Sequence, residues 1–369
     1  MTTSDLPINE VVQGDCLEIL KTLPDQCVDL IFADPPYNLQ LRSELIRPNE
    51  TVVDAVKDAW DQFESFAEYD AFTRAWLTEC RRVLKDTGTL WVIGSYHNIF
   101  RVGAALMDLG YWMLNSVHWC KTNPMPNFLG TRFTNATETL IWAKKSEAQK
   151  SYTFNYQAMK NFDNDDGKQM QNLWYIPLCM GAERIKINGK KAHSTQKPEA
   201  LLYRVILSSS NPDDIVLDPF FGTGTTGAVA KKLKRRFIGI EREPRYVSLA
   251  RQRIDSITNT DIHEDLLITP SRRSLPRVSF GYLLAAQYLG VGQRLFSRDR
   301  KHEAVIKADS HLICGDFTGS IHQAAARCQE RGKANGWDFW HFEEDDTLTS
   351  IDQLRERYRK EYGLPELVR

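Results

Sequence analysis

The sequence predicts an α/β chain: a doubly wound, mostly parallel sheet carrying an inserted region, followed by a small α+β C-terminal domain. Three observations carry this reading. Between residues 8 and 257, short continuous apolar runs alternate with helix-patterned stretches, as buried parallel strands joined by helices do. Two of those runs end in Asp-Pro, at Asp34-Pro35 and Asp218-Pro219, and open sheets gather ligands at the C-terminal ends of their strands. Beyond residue 260 the composition shifts and the alternation stops.

In order, residues 8–13 form a short apolar run and Cys16–Thr22 a helix. Val28–Ala33 (VDLIFA) reads as a strand buried on both faces. Residues 72–84 have helical spacing, with Trp76, Leu77, Cys80, Val83 and Leu84 on one face. Asp86-Thr87-Gly88 makes a turn, and residues 89–93 (TLWVI) make the next strand. Residues 99–109 are helical and end at Gly110. Strands follow at 112–119 and 139–143. Residues 121–192, rich in Asn, Gly, Lys and aromatics, break the rhythm and read as an inserted, loop-rich module. Alternation resumes with a helix at 198–207, Pro at its first position. A strand at 215–217, a helix at 225–233, a strand at 236–240 and a helix at 244–257 complete the series. The expected division is residues 1–260 for the α/β domain, 261–278 for a Ser-, Thr-, Pro- and Arg-rich linker, and 279–369 for the C-terminal domain.

The 369 residues suit about two domains at roughly 100–200 residues each. Lys and Arg number 47 and Asp and Glu 48, a net charge of −1. That excludes a generally basic nucleic-acid coat but not a local basic patch. Residues 271–310 hold eight basic and three acidic residues, while residues 41–70 hold three basic and eight acidic, so the near-zero sum hides opposed patches. Seven scattered cysteines, no two closer than eleven positions, give neither a zinc ribbon nor a CxxC pair. No metal is expected, and the thiols read as reduced in a cytosol. The start, MTTSDLPINE, lacks the basic and apolar stretches of a signal peptide. No run of about 20 apolar residues suggests a membrane partner.

The strongest local signal is Asp34-Pro35-Pro36-Tyr37, directly after an apolar strand. Two prolines fix the backbone and remove two N–H donors. The turn then presents a carboxylate, carbonyls and an aromatic face together, which suits a planar group with an exocyclic amine. The plainer alternative is a proline-rich turn with a buried tyrosine. A second signal, Asp218-Pro219-Phe220-Phe221-Gly222-Thr223-Gly224-Thr225-Thr226, runs from a strand into a helix. Its glycines allow close approach to a nucleotide, and Glu241, 19 residues after Gly222 at a strand end, suits ribose hydroxyls. The third glycine of a dinucleotide fingerprint and the GK[ST] of a P-loop are both lacking, so a nucleoside cofactor without pyrophosphate fits better than either of those ligands, with a glycine turn for packing as the plainer alternative. Gly14-Asp15-Cys16 either bonds a cofactor amine or caps a helix. His193-Ser194-Thr195-Gln196-Lys197-Pro198 reads as a helix start, or as a turn whose Lys197 pairs with a cofactor carboxylate.

Together these motifs resemble the amino-methyltransferases that use S-adenosylmethionine. Asp34-Pro35-Pro36-Tyr37 matches their catalytic tetrapeptide, and Phe220, Gly222 and Gly224 match their FxGxG cofactor loop. The resemblance covers residues 8–257 and implies a Rossmann-like methyltransferase sheet. It places Asp15, Cys16, Asp34, His193, Ser194, Thr195, Lys197, Asp218, Phe220, Gly222, Thr223, Gly224, Thr225 and Glu241 around the cofactor. The order of catalytic motif, insert and cofactor loop resembles the β class of DNA amino-methyltransferases, in which residues 121–192 would be the target-recognition region. The stretches FADPPYNLQL, TRFTNATE and NGWDFWHFE resemble the cell-cycle-regulated adenine methyltransferases that recognise GANTC. That resemblance implies a bacterial cytoplasmic, nucleoid-associated enzyme linked to replication and the cell cycle, a C-terminal DNA-binding module, and dimerisation.

Amine methylation needs no covalent catalyst; it needs orientation and an acceptor for the amine's N–H groups. The target base must leave the duplex to reach such a site. Duplex DNA is therefore the expected partner. Asn38, Lys121, Asn123, Asn127, Arg132, Arg184, Lys186, Lys190 and Lys191 are candidate DNA-binding residues in the α/β domain, and Arg272, Arg273, Arg277, Trp337 and Trp340 in the C-terminal module. A small-domain core is the competing role for the two tryptophans. Methylation of cytosine N4, of an amine in structured RNA, or a catalytically silent DNA-binding regulator are the alternative functions. A C5-cytosine enzyme is disfavoured because no Pro-Cys dipeptide occurs.

Overall fold

A computed structural model describes residues 6–38, 61–127, 130–162, 169–258, 277–344 and 347–363. The chain divides into two compact units, Met1–Thr269 and Pro270–Arg369.

The first unit runs β1 (Glu10–Gln13), α1 (Cys16–Thr22), β2 (Val28–Ala33), α2 (Phe66–Val83), β3 (Leu84–Gly94), α3 (Ile99–Asp108), β4 (Trp112–Lys121), β5 (Thr137–Lys144), α4 (Tyr156–Phe162), β6 (Leu173–Ile176), β7 (Lys186–Ile187), β8 (Lys190–Lys191), α5 (Glu199–Ser209), β9 (Ile215–Asp218), α6 (Thr225–Lys232), β10 (Arg236–Glu241) and α7 (Pro244–Asp255). Eight strands form one sheet in the order β1-β10-β9-β2-β3-β5-β4-β6. The first five are mutually parallel, β5 runs antiparallel to both β3 and β4, and β6 is parallel to β4.

Strand pleating makes the sheet two-faced. Leu30, Phe32 and Val216 point into one core with Leu201, Val205, Ala228 and Val247 of α5, α6 and α7. Ile31, Ala33 and Leu217 point into the other with Leu20, Trp76 and Val102 of α1, α2 and α3. Helices therefore cover both faces, the doubly wound arrangement, and the turns that follow β1, β2, β3, β9 and β10 open at the same end of the sheet.

Four local differences from the sequence reading have physical reasons. Helix α2 begins at Phe66 rather than 72, because Ser65 caps it by accepting from Glu68 N; Phe66 is 44% exposed, so no apolar period marks that turn. The expected turn at 86–88 is a bulge inside β3: Val28 pairs with Leu84 and Leu30 with Thr89. Pro198 is the cap of α5, with extended ψ, and not its first helical residue. The stretch 121–192 is less loop-like than its composition suggests. Besides the expected β5 it supplies α4 and β6, and two of its tryptophans are core, Trp142 stacking on Trp91 at 5.2 Å and Trp174 lying 5.8 Å from Trp91, while Phe133 and Tyr175 are exposed.

The second unit contains α8 (Phe280–Ala285), β11 (Arg294–Ser297), β12 (Glu303–Ile306), β13 (Leu312–Cys314), β14 (Phe317–Gly319), α9 (Ile321–Cys328), α10 (Gly336–Phe339), β15 (Trp340–Glu344), β16 (Thr347–Ser350) and α11 (Ile351–Glu361). Its antiparallel sheet has the order β14-β13-β12-β11-β15-β16, and it has a core of its own. The WDFWHF run alternates poorly because it crosses from α10 into β15.

Candidate active site

The C-terminal ends of β1, β2, β9 and β10 surround a cavity of about 380 Å³, within the range of roughly 300–1,000 Å³ usual for ligand pockets. Asp15, Cys16, Asp34, Pro35, Pro36, Tyr37, His193, Thr195, Lys197, Asp218, Phe220, Gly222, Thr223, Thr225 and Glu241 all line it. Ser194 and Gly224 do not. The Ser194 carbonyl accepts from Arg184 Nη2 at 2.8 Å. Gly224, at φ +78°, lets α6 meet α7, since a Cβ there would lie 2.9 Å from that of Ala250.

Half of the cavity has the features of a nucleoside site. Gly222, at φ +52°, presents bare backbone to it. Both oxygens of Glu241 accept backbone N–H bonds, from Gly222 at 2.7 Å and Glu243 at 2.8 Å, which fixes the carboxylate at the wall. Asp15 Oδ1 caps α1 by accepting from Leu17 N at 2.8 Å, so the capping reading holds while the residue also lines the cavity. Asp218 accepts from Phe220 N at 2.9 Å and Thr226 Oγ1 at 2.5 Å. Burial pushes the Asp218 carboxyl up to about 7 and the His193 imidazole, beside Lys197 and Arg184, down to about 4. His193 lies 4.5 Å from the Tyr246 ring.

The other half is the proline turn. Tyr69 Oη donates to the Pro36 carbonyl at 2.9 Å, and Asp61 Oδ1 accepts from Tyr37 N at 2.5 Å and Asn38 N at 2.9 Å. Lys197 Nζ sits 2.7 Å from Asp34 Oδ2 and 5.1 Å from the centre of the Tyr37 ring. Of the two roles expected for Lys197, the structure shows its charge held by Asp34 at the wall of the cavity. Tyr37 Oη donates to Glu138 Oε2 at 2.9 Å, and Lys121 Nζ reaches Glu138 Oε1 at 2.8 Å. Burial lifts the Asp34 carboxyl above its ordinary range. Burial also works against charge on Lys197, but the carboxylates of Asp34 and Glu138 outweigh it and hold the ammonium protonated. Asp61, Tyr69 and Glu138 are site residues that sequence reasoning missed. Only Glu138 left a trace, as an acid opening an otherwise apolar strand (TETLIWA).

Several residues expected to bind DNA are otherwise engaged. Lys121 is 9% exposed and paired with Glu138. Arg184 clamps the 193–196 turn by donating to the carbonyls of His193, Ser194 and Gln196. Asn123 accepts from Leu178 N at 2.7 Å and contacts Met180 Sδ. Arg132 donates to Tyr96 Oη at 2.8 Å. Asn38 is 5% exposed. Trp340 is fully buried, with Nε1 donating to the Ile321 carbonyl, and Trp337, 9% exposed, lies under Arg355; both serve the core of the second unit and offer no face to a base. Lys186, Lys190 and Lys191 are exposed on the β7–β8 hairpin, Asn127 is half-buried and Arg277 is exposed. Arg272 and Arg273 lie outside the described residues.

A glycine-turn nucleoside half beside an Asp-Pro-Pro-Tyr turn, on a doubly wound sheet, defines an amine methyltransferase class of site. Residues 28–252 match the N6/N4 methyltransferase family model described as DNA methylase, and residues 263–363 match a second model described as restriction enzyme adenine methylase associated. The chain is 47% identical over 352 residues to the type II methyltransferase M.HinfI of Haemophilus influenzae, covering 95% of this chain and 97% of that protein. It is 44% identical over 245 residues to the type II methyltransferase M2.LlaDCHI of Lactococcus lactis subsp. cremoris, covering 66% and 88%. The solved structure of the cytosine-N4-specific PvuII DNA methyltransferase shares the fold, with TM-score 0.51 and 24% identity over 70% of this chain and 89% of that one. The chain belongs to the N6/N4 DNA methyltransferase family.

Proposed function

We propose that this protein transfers a methyl group from S-adenosylmethionine to the N6 amine of a flipped-out adenine in duplex DNA, within GANTC, as part of replication-linked methylation. The observation that carries the reading is the single cavity shared by Asp34, Tyr37, Gly222 and Glu241. Asp15, Phe220, Gly222 and Glu241 would hold the cofactor, whose bound form supplies a methyl group on a cationic sulfur. The bare backbone at Gly222 and the wall-fixed Glu241 carboxylate fit an adenosine with free ribose hydroxyls.

Two residues of the turn then have tasks. Tyr37 stacks on the extruded base, and the Asp34 carboxylate accepts an amine N–H, favouring a more tetrahedral nitrogen. As the N–C bond forms, the amine gains positive charge, which the carboxylate stabilises. The neutral amine is too weak an acid to lose its proton first, so the proton leaves after transfer. Bringing the base out of the stack costs a few kcal/mol.

The test is mass spectrometry of nucleosides after incubating duplex DNA, with and without GANTC, with protein and S-adenosylmethionine, beside an Asp34→Ala control. N6-methyladenine confined to GANTC-bearing DNA, absent in Asp34→Ala while cofactor binding persists, is the expected result. N4-methylcytosine would overturn the base assignment, and no modified base would overturn the activity.

A further inference from the structure

Glu138 opens β5 and reaches back to the proline turn. It receives Tyr37 Oη at 2.9 Å and Lys121 at 2.8 Å, and Lys197 stands 3.9 Å from its Oε2 while bonding Asp34 at 2.7 Å. The side chains of Lys121, Glu138 and Lys197 are only 9, 11 and 7% exposed. Charges so far from water persist only when they are paired, and here two carboxylates face two ammonium groups.

We propose that Glu138 is a positioning residue for methyl transfer: it fixes the Tyr37 ring through its hydroxyl and shares Lys197 with Asp34, so that the site offers a neutral field to the charge growing on the amine. The inference rests on the amine-transfer reading. The amine turns cationic against Asp34, and Lys197, on that same carboxylate, opposes the change. Glu138 cancels that opposition. Without its charge the cluster carries a net positive charge where positive charge must develop, and in a dry site such a mismatch is weakly screened.

The same geometry ties Glu138 to the titration of Asp34. The charged and titratable groups around it are Tyr37 on its own turn, Lys197 before α5, Glu138 on β5, Lys121 behind Glu138 on β4, Asp218 at the end of β9, Asp61 under the Tyr37 N–H, and His193 beside Lys197. The negative charge of Glu138 makes Asp34 easier to protonate. Glu138→Gln therefore moves the acid limb of activity to lower pH. Lys121→Met leaves Glu138 less balanced and moves the limb to higher pH. A merely structural Glu138 would not shift the limb in opposite directions.

The experiment measures methyl transfer by the full-length protein from labelled S-adenosylmethionine to a GANTC duplex across the acid limb. Glu138→Gln is expected to lose about a hundredfold in kcat, the lower end of the scale for removing one preorganised electrostatic partner, with KM for both substrates little changed. Its acid limb falls, Glu138→Asp restores the wild-type limb, and Lys121→Met raises it. An unmoved limb in Glu138→Gln, or a loss lying wholly in KM for the cofactor, overturns the inference. Should Glu138→Gln not fold, the direction of the Lys121→Met limb decides. Wild-type protein that methylates no DNA amine sinks the amine-transfer reading instead, so the two failures are told apart.

Discussion

Asp218 ties the chemistry of the cavity to the stability of the fold. Its carboxyl titrates at about 7 in the folded chain against an ordinary value of 3.8, chiefly because burial disfavours the charge. A raised folded value means the native state holds its proton longer than the unfolded chain. The associated stabilisation is complete below 3.8 and is lost as pH rises towards and through about 7. Asp218→Asn keeps the shape, can still receive Phe220 N and can bond Thr226 with the hydroxyl reversed. The variant is expected to show a flatter stability-versus-pH curve across this window, relatively more stable than wild type on the alkaline side. Urea titrations at several pH values check it, and parallel curves for the two proteins would refute it. His193 acts in the other direction: lowered to about 4 from 6.5, it takes a proton first in the unfolded chain, so its share of stability is lost as pH falls through that interval. At this scale, the contiguous residues were legible. Asp34 through Tyr37, Gly222 and Glu241 carry their chemistry in short stretches. Glu138 and Asp61 were not legible, because they reach Tyr37 across 101 and 24 positions. Basic residues misled for the converse reason: composition shows a charge at Lys121 and Arg184 but not that each is turned inward to a carboxylate or to carbonyls.

At the scale of elements, apolar periodicity located the strands and helices that bury a face, and local hydrogen bonding set ends it could not see. Helix α2 is the instructive case. Its buried residues Trp76, Leu77, Cys80 and Val83 were visible, but its first turn is held by Ser65 accepting from Glu68 N at 3.1 Å, with Glu68 Oε2 accepting from Glu64 N at 2.8 Å. Ser65→Ala is expected to cost about 1 kcal/mol, the usual value of such a cap, seen as a lower urea midpoint with unchanged slope; an unchanged midpoint would show that packing alone holds the turn. Gly224 makes the parallel point for a loop. It combines φ +78° with a Cβ position 2.9 Å from Ala250, so Gly224→Ala has both backbone strain and a clash to absorb. A loss of about 1–3 kcal/mol, with weaker S-adenosylmethionine binding, is expected in thermal unfolding with and without the cofactor. The β3 bulge was hidden because its triplet read as a turn, and the place of Trp174 beside Trp91 was hidden because its stretch read as loop, whereas Trp91 and Trp142 lay in expected strands.

Across the whole molecule, the charge sum of −1 conceals a division of labour. In the first unit Asp34, Glu138, Lys121 and Lys197 pair with one another at the proline turn, and the second has its own core and a stretch rich in arginine near its start. Removing residues 270–369 leaves both cores of the first unit intact, since the second unit's apolar residues form a separate cluster. The truncated protein is therefore expected to bind S-adenosylmethionine as the full chain does. Its affinity for duplex DNA should fall. Because a bound cationic side chain releases counterions from the duplex, the dependence of log K on log salt should become shallower by close to one unit for each phosphate no longer neutralised. Fluorescence anisotropy of a labelled GANTC duplex over a salt series measures both quantities. An unchanged slope together with unchanged affinity would assign DNA binding to the first unit alone, with Lys186, Lys190 and Lys191 on the exposed hairpin as the phosphate-binding residues to test next. A weaker affinity with the same slope would mean that the second unit reads bases or duplex shape in place of supplying charge.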